Sequence, residues 1–259
     1  MERRTFLQTT LAATACATAA GSSEGADGRR AEFYELRTYT LKKSKLPMLD
    51  DYLKQAFIPA LKRLKFGPVG VFVEQAEDDN LRLFVLIIHP TAESCLTLNA
   101  RLAGDMEHQR AGQNYLAATA ADPVYTRIES SVLVALDGMP QLIPVDADKP
   151  RVLQLRTYES HNERASKKKI EMFNQGEIAI FRRVGLTPMF FAETIVGSAM
   201  PNLTYLLVFP DEQARTEAWN TFRSDPEWLK LKSIPEYADR EIVSKITNRV
   251  LTPAAYSEL

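Results

Sequence analysis

From residue 33 onward the chain switches between two spacings of apolar residues. Phe33–Thr40 alternates apolar and polar positions and is rich in aromatic types, as a half-buried strand is. Leu46, Leu49, Leu53, Phe57, Ala60, Leu61 and Leu64 then recur along one face of a helix, which Gly67-Pro68 ends. Val69–Gln75 reads as a strand, Glu77-Asp78-Asp79-Asn80 as a hairpin turn, and Leu81–His89, nearly all apolar, as a central strand. Thr91–Leu102 and the segment after Asp105 predict helix, and Val124–Leu136 a last strand. The order then returns: strand Val152–Tyr158, helix Arg164–Val184, and strands Pro188–Thr194 and Leu203–Phe209. Helices Glu212–Arg223 and Glu227–Lys232 follow, and strand Glu241–Leu251 closes the series.

The return extends to the residues. Glu35-Leu36-Arg37-Thr38-Tyr39 recurs as Gln154-Leu155-Arg156-Thr157-Tyr158, 119 positions on. At an offset of 120, Arg63 meets Arg183, Pro68 meets Pro188, Asp105 meets Asp225 and Glu107 meets Glu227. A constant offset with hydrophobic type kept between the anchors marks a diverged duplication. Asp137–Pro150 holds Asp137-Gly138, Pro140, Pro144 and Pro150, so it reads as a linker. The division is then 1–30 as a leader, 31–136 as the first repeat, 137–150 as the linker and 151–259 as the second repeat. Each repeat is strand–helix–strand–strand–helix–strand, the ferredoxin-like α+β arrangement, with helices on one sheet face. Two copies can pack their open sheet faces together, with Phe33, Phe72, Phe84, Phe190, Phe191 and Tyr205 as fillers.

The first thirty residues differ in kind. Arg3-Arg4 precede Phe6-Leu7, a short stretch of small residues follows, and Gly21–Arg30 is polar. That order reads as a secretory signal of the twin-arginine type, which predicts export to the periplasm or beyond. The stretch is too short for a spanning helix of about 20 residues. Cys16, after Ala13-Thr14-Ala15, is an alternative lipid-attachment site. The whole chain carries 32 basic and 33 acidic residues, net −1; without the leader it carries 28 and 30. No basic face for nucleic acid follows from that balance.

The Glu-Leu-Arg-x-Tyr strand, the helix ending near Gly-x-Pro, the apolar third strand and Asp225-Pro226-Glu227-Trp228 resemble NIPSNAP domains, over roughly 32–134 and 151–252. The first repeat departs from the pattern, with Asp105-Met106-Glu107-His108 in place of Asp-Pro-Glu-Trp. The resemblance implies a dimeric α+β barrel, tandem in one chain. Its superfamily includes oxygenases, haem-dependent enzymes and isomerases, so it leaves a binding or interaction module and a small-molecule enzyme both open. A homo-oligomer is a further expectation.

Arg37 with Tyr39, and Arg156 with Tyr158, project to one side of their strands. If that side faces the inter-sheet space, they form a ligand site for a small anion; otherwise Arg is tied to a carboxylate or the pairs are exposed. Glu177 falls on the apolar stripe Phe173–Ile180–Phe181–Val184, where a carboxylate either acts as a base or pairs with Arg156 or Arg182. Glu74 and Glu193 are weaker candidates of that kind. His89, closing a strand before Pro90, is the histidine placed to open onto a cavity. His89, His108 and His161 are the only axial imidazoles a haem could find, and none is spaced for a metal set. Cys95 has core-like spacing, Trp219 and Trp228 read as packing, and Lys167-Lys168-Lys169 as a solvated face. The sequence requires no cofactor; an apolar ligand between the sheets is as open as an anionic one.

Overall fold

A computed structural model describes residues 30–74, 79–146 and 149–259. Residues 1–29, with the twin arginines and Cys16, and Glu77-Asp78 of the expected turn lie outside those residues. Eight antiparallel strands form one closed barrel. They are β1 (Phe33–Lys42), β2 (Val69–Glu74), β3 (Asn80–His89), β4 (Arg127–Ala135), β5 (Val152–Glu159), β6 (Thr187–Val196), β7 (Asn202–Phe209) and β8 (Lys245–Pro253). The first half contributes β4-β1-β3-β2 and the second β8-β5-β7-β6. The circle closes through β2 against β8 and β4 against β6. Neither half is left with a free sheet edge, the hazard that closure removes.

Each half wraps helices around the outside. In the first these are a helix over 46–63, Ala92–Ala103 and Met106–Ala111; in the second, 163–183, Glu212–Ser224 and Pro226–Lys232. The two long helices each carry a π turn at matching places, Leu53–Phe57 and Phe173–Glu177. Both duplicated Arg–Asp anchors are ion pairs at 2.8 Å, Arg63 with Asp105 and Arg183 with Asp225. Each aspartate also caps its short helix, Asp105 on His108 N and Asp225 on Trp228 N.

Both faces of the wall are buried along β3 and β7 and largely so along β1 and β5, whereas β4 and β8 expose much of their length. Tyr34, Phe72, Phe84, Leu153, Met189, Phe190, Leu206 and Leu251 fill the interior, joined by Leu259. The outer face of β5–β7 packs on Phe173, Phe181, Trp219 and Phe222. Of the expected fillers, Phe191 and Tyr205 lie on this outer side instead, and Phe33 is half-buried outside the interior cluster. A register shift between Pro188 and Phe190 explains Phe191: the bulge sends both Met189 and Phe190 inward and reverses the alternation beyond them. Tyr205 stands opposite Arg156, and so shares its face. The final strand begins at Lys245 and not at Glu241, because Asp239–Ile242 completes a helical turn. Among the described residues no helix is long and apolar enough to cross a membrane.

Candidate functional site

The strand alternation that buries Tyr34 and Leu155 in the barrel turns Glu35, Arg37 and Tyr39, and likewise Gln154, Arg156 and Tyr158, toward the helices. The two Arg–Tyr pairs therefore do not meet between the sheets; each sits under its own half's helices. The mouth of the barrel holds a separate 280 Å³ cavity, lined by Thr38, Thr157, Thr194, Asn202 and Thr204 among others, with neither arginine in its lining.

In the first half the arginine is saturated. Arg37 Nε donates to Glu35 Oε1 at 2.5 Å, and its Nη2 donates to Glu35 Oε2 at 3.2 Å and to Asn99 Oδ1 at 3.0 Å. Ser130 Oγ, from the neighbouring strand, donates to Glu35 Oε1 at 2.7 Å. Burial opposes ionisation of Glu35, but His89, Arg37 and Ser130 outweigh it and hold the carboxyl at about 2. His89 is fully buried, its Nε2 3.3 Å from Glu35 Oε2 and its Nδ1 3.1 Å from Ser94 Oγ. His108 is buried against Tyr52 and the Leu102 carbonyl, while His161 is exposed.

The second half repeats the frame and changes its contents. Gln154 stands where Glu35 does, Asn248 where Ser130 does, and Trp219 where Asn99 does. Gln154 is turned to these neighbours: its Oε1 accepts from Trp219 Nε1 at 2.6 Å and its Nε2 donates to Asn248 Oδ1 at 2.7 Å. Arg156 Nη2 donates to the Tyr158 hydroxyl at 3.1 Å, and Tyr205 is a second phenolic partner; its Nε is buried without a partner, and no carboxylate lies at salt-bridge distance among the described residues. Its guanidinium lies 4.7 Å from the Trp219 ring and 5.4 Å from that of Tyr158. Tyr158 in turn bonds Tyr205 at 2.9 Å.

Arg156 opens into a cleft of about 420 Å³ walled by Tyr158, Trp219, Phe222 and Trp228. Ile246 stands in its lining, 45% exposed. Arg215 and Arg223 also line it, the first paired with Glu212 and the second with Asn220. Asp239 is the lining carboxylate and is exposed. In the first half a 520 Å³ cavity lies beside Tyr52, Tyr115 and Asp51, and Arg37 is not in its lining.

Glu177 is buried at 1% exposure, and its partner is neither Arg156 nor Arg182 but Lys169, at 3.1 Å. Lys169 therefore does not belong to a solvated face: it is 2% exposed, against the rings of Tyr158 and Phe173, while Lys167 pairs with Glu193 and Lys168 with Glu171 and Glu236. Burial pushes the Glu177 carboxyl up, against the pull of Lys169. Glu74 is bound by Arg82 and Arg249. Cys95 is a half-buried free thiol, pushed up to about 11 by burial. No group of three or more His, Cys, Asp or Glu suited to a metal ion occurs among the described residues. The residues the sequence reading missed are Gln154 and Trp219; their signal was the position of Gln154 opposite Glu35 in the repeat.

The fold is shared with solved structures. A candidate monooxygenase from Fusobacterium nucleatum is 8% identical over 86% of this chain and 92% of its own, with a TM-score of 0.56. One from Lactobacillus acidophilus is 9% identical over 86% and 94%, at 0.55. An anthrone oxidase-like protein is 10% identical over 88% and 95%, at 0.52. At such identity the likeness speaks for the fold alone. No curated protein sequence matches the chain. The NIPSNAP sequence profile matches residues 153–258, and with the strand order described above that match makes the second half of this chain a NIPSNAP domain.

Proposed function

We propose that the protein is a small-ligand-binding module whose second half takes an organic anion on Arg156. The observation that carries this is the contrast between the two arginines. Arg37 is closed by the chain's own carboxylate, and the equivalent Arg156 faces a cleft with a neutral glutamine in that carboxylate's place. A half-buried guanidinium that lines a cleft binds carboxylates through charge-assisted, often paired hydrogen bonds. The aromatic walls and Ile246 suit an apolar body behind the anionic head.

Both tryptophans of the chain line the cleft, so intrinsic fluorescence reports occupancy directly. Titration with cyclohexanecarboxylate and benzoate is expected to change it saturably. Arg156→Met, and Gln154→Glu as a copy of the first half, are each expected to weaken binding at least ten-fold. Unchanged affinity in Arg156→Met would overturn the assignment. The second reading is an oxygenase or isomerase at the same cleft, favoured by the Tyr158–Tyr205 phenol pair beside Arg156; turnover of a bound carboxylate would separate it from binding alone. Export by the N-terminal signal belongs to the same proposal, and a Lys-Lys replacement of Arg3-Arg4 tests it by blocking secretion.

A further inference from the structure

The inward-facing rows of the barrel change character at one level. Thr38, Ser131, Thr157, Thr194, Thr204 and Thr247, from β1, β4, β5, β6, β7 and β8, line the 280 Å³ cavity at the mouth. Two positions deeper, five of those six strands turn apolar, at Leu36, Leu133, Leu155, Ala192 and Leu206. At the opposite end Leu142, bonded to Glu32 ahead of β1, and Leu259, bonded to Arg151 ahead of β5, close the interior. One end of the barrel is thus filled, and the other is a cup with hydroxyl walls and an apolar floor.

The two halves build their sides of the cup differently. Strand pairing sets Thr204 opposite Thr157, and the two hydroxyls bond at 2.9 Å. Thr194 Oγ1 donates to Asn202 Oδ1 at 2.7 Å, and the Asn202 amide donates to the carbonyls of Ser198 and Ala199 at 3.2 and 2.9 Å. The second half's wall is therefore organised before anything binds, which lowers the entropy lost on binding. In the first half the same pairing sets Phe84 opposite Thr38. Among the described residues the side chains of Thr38, Ser131, Thr247 and Glu129, all in the lining, make no hydrogen bond. The cations of the rim each have a carboxylate: Arg82 and Arg249 pair with Glu74 at 3.2 and 2.6 Å, and Lys245 pairs with Glu159 at 3.2 Å. What is left for an occupant is three hydroxyls, which both donate and accept, and one carboxylate, which accepts. That set suits a molecule bearing several hydroxyls of its own and no charge.

We propose that the barrel mouth is a second binding site, separate from the Arg156 cleft, and that it takes an uncharged polyhydroxylated ring of monosaccharide size. The C–H face of the ring lies toward the floor of Leu36, Phe84 and Leu155, and its hydroxyl edge meets Thr38, Ser131, Thr247 and Glu129. A volume of 280 Å³ falls just under the range of about 300–1,000 Å³ found for larger ligands, and so admits one ring and not a chain of them. The site stands whether or not Arg156 binds an anion.

The test titrates the full chain with D-glucose, D-galactose, D-mannose, D-xylose and myo-inositol by calorimetry and saturation-transfer NMR. Cyclohexanol, a ring with a single hydroxyl, is the control. At least one of the five is expected to bind saturably, and at least ten-fold more tightly than cyclohexanol. The triple variant Thr38→Val, Ser131→Ala, Thr247→Val is expected to weaken that binding at least ten-fold. Its urea midpoint is expected to stay in place, because no hydrogen bond of the wall is removed. Arg156→Met is expected to leave the binding unchanged. Binding by none of the five at about 100 mM would overturn the site. Cyclohexanol binding as tightly as the best of them would overturn the polyol assignment. Undiminished binding in the triple variant, or its loss in Arg156→Met, would overturn the placement at the mouth. The comparison with cyclohexanol needs only the unaltered chain, so it decides even if the triple variant fails to fold.

Discussion

Arg37 and Arg156 hold the same strand position in the two halves and end in different states. Arg37 is 7% exposed and locked by Glu35, Asn99 and, through the glutamate, Ser130. Arg156 has aromatic rings and phenols around it and, among the described residues, no carboxylate at salt-bridge distance. The same exchange runs through the helix above. Leu49 and Phe57 in the first half, both apolar, are replaced 120 positions on by Lys169 and Glu177, a buried ion pair. The lesson is about where charge is balanced. The first half neutralises its arginine internally and keeps its helix stripe apolar; the second pairs charges inside the helix and leaves its arginine without a carboxylate at salt-bridge distance among the described residues. A duplicated fold can thus keep one copy as scaffold and free the other for binding.

The sharpest way to break the comparison is at Lys169. Removing one member of a buried ion pair strands the other charge, at about 3–5 kcal/mol, whereas replacing both by apolar residues is often neutral. Lys169→Met is therefore expected to cost a few kcal/mol in urea unfolding. Lys169→Leu with Glu177→Phe, which copies Leu49 and Phe57, is expected to recover most of that loss. Equal losses in the single and double variants would show that the pair's geometry, and not its charge, holds the helix in place.

Next in size is the acid dependence of the first half. Glu35 is held at about 2, below the ordinary 4.5. A carboxylate depressed by folding contributes stability that is fully present above its unfolded pKa and is lost as pH falls through the folded value. The window is pH 4.5 down to 2, and the depression corresponds to about 3 kcal/mol. Glu35→Gln is expected to flatten the stability–pH curve in that window. Gln154→Glu is expected to add a similar acid limb by giving Arg156 an internal partner. If that variant shows no new acid dependence, the two positions are not equivalent in charge.

The element order and the duplication were legible, because both rest on patterns that survive divergence: apolar spacing, and anchors such as Arg63–Asp105 and Arg183–Asp225. The direction in which Arg37 and Arg156 point was not. In an open sheet the polar face of a strand marks solvent, but here both faces of β1 and β5 are buried, one in the barrel and one under helices, so alternation carries no sign. Phe191 was misplaced for a related reason, since a single-residue bulge reverses every position beyond it. Lys169 looked like one of three solvated lysines; its place on the stripe of Leu49 carried the contrary signal, and Glu177 opposite Phe57 was its complement.

The smallest prediction concerns how the two long helices stop. Both end in the same motif: Phe66 N bonds Leu61 O at 2.9 Å and Leu186 N bonds Phe181 O at 3.0 Å, across one residue in left-handed backbone. That residue is Gly185 in the second half, with φ +86°, and Lys65 in the first, with φ +63°. A non-glycine residue there carries a steric cost of about 1–2 kcal/mol, partly offset by the lower entropy of its unfolded chain. Lys65→Gly is expected to raise stability by about 0.5–1 kcal/mol. Gly185→Ala is expected to lower it by about the same amount; a Cβ at Gly185 meets only Ala218 Cβ, at 4.0 Å, so its cost is backbone strain and not crowding. Urea midpoints at constant slope measure both changes. Opposite signs would show one motif, solved well in the second half and at a cost in the first; equal signs would show that the two helix ends differ in more than this one residue.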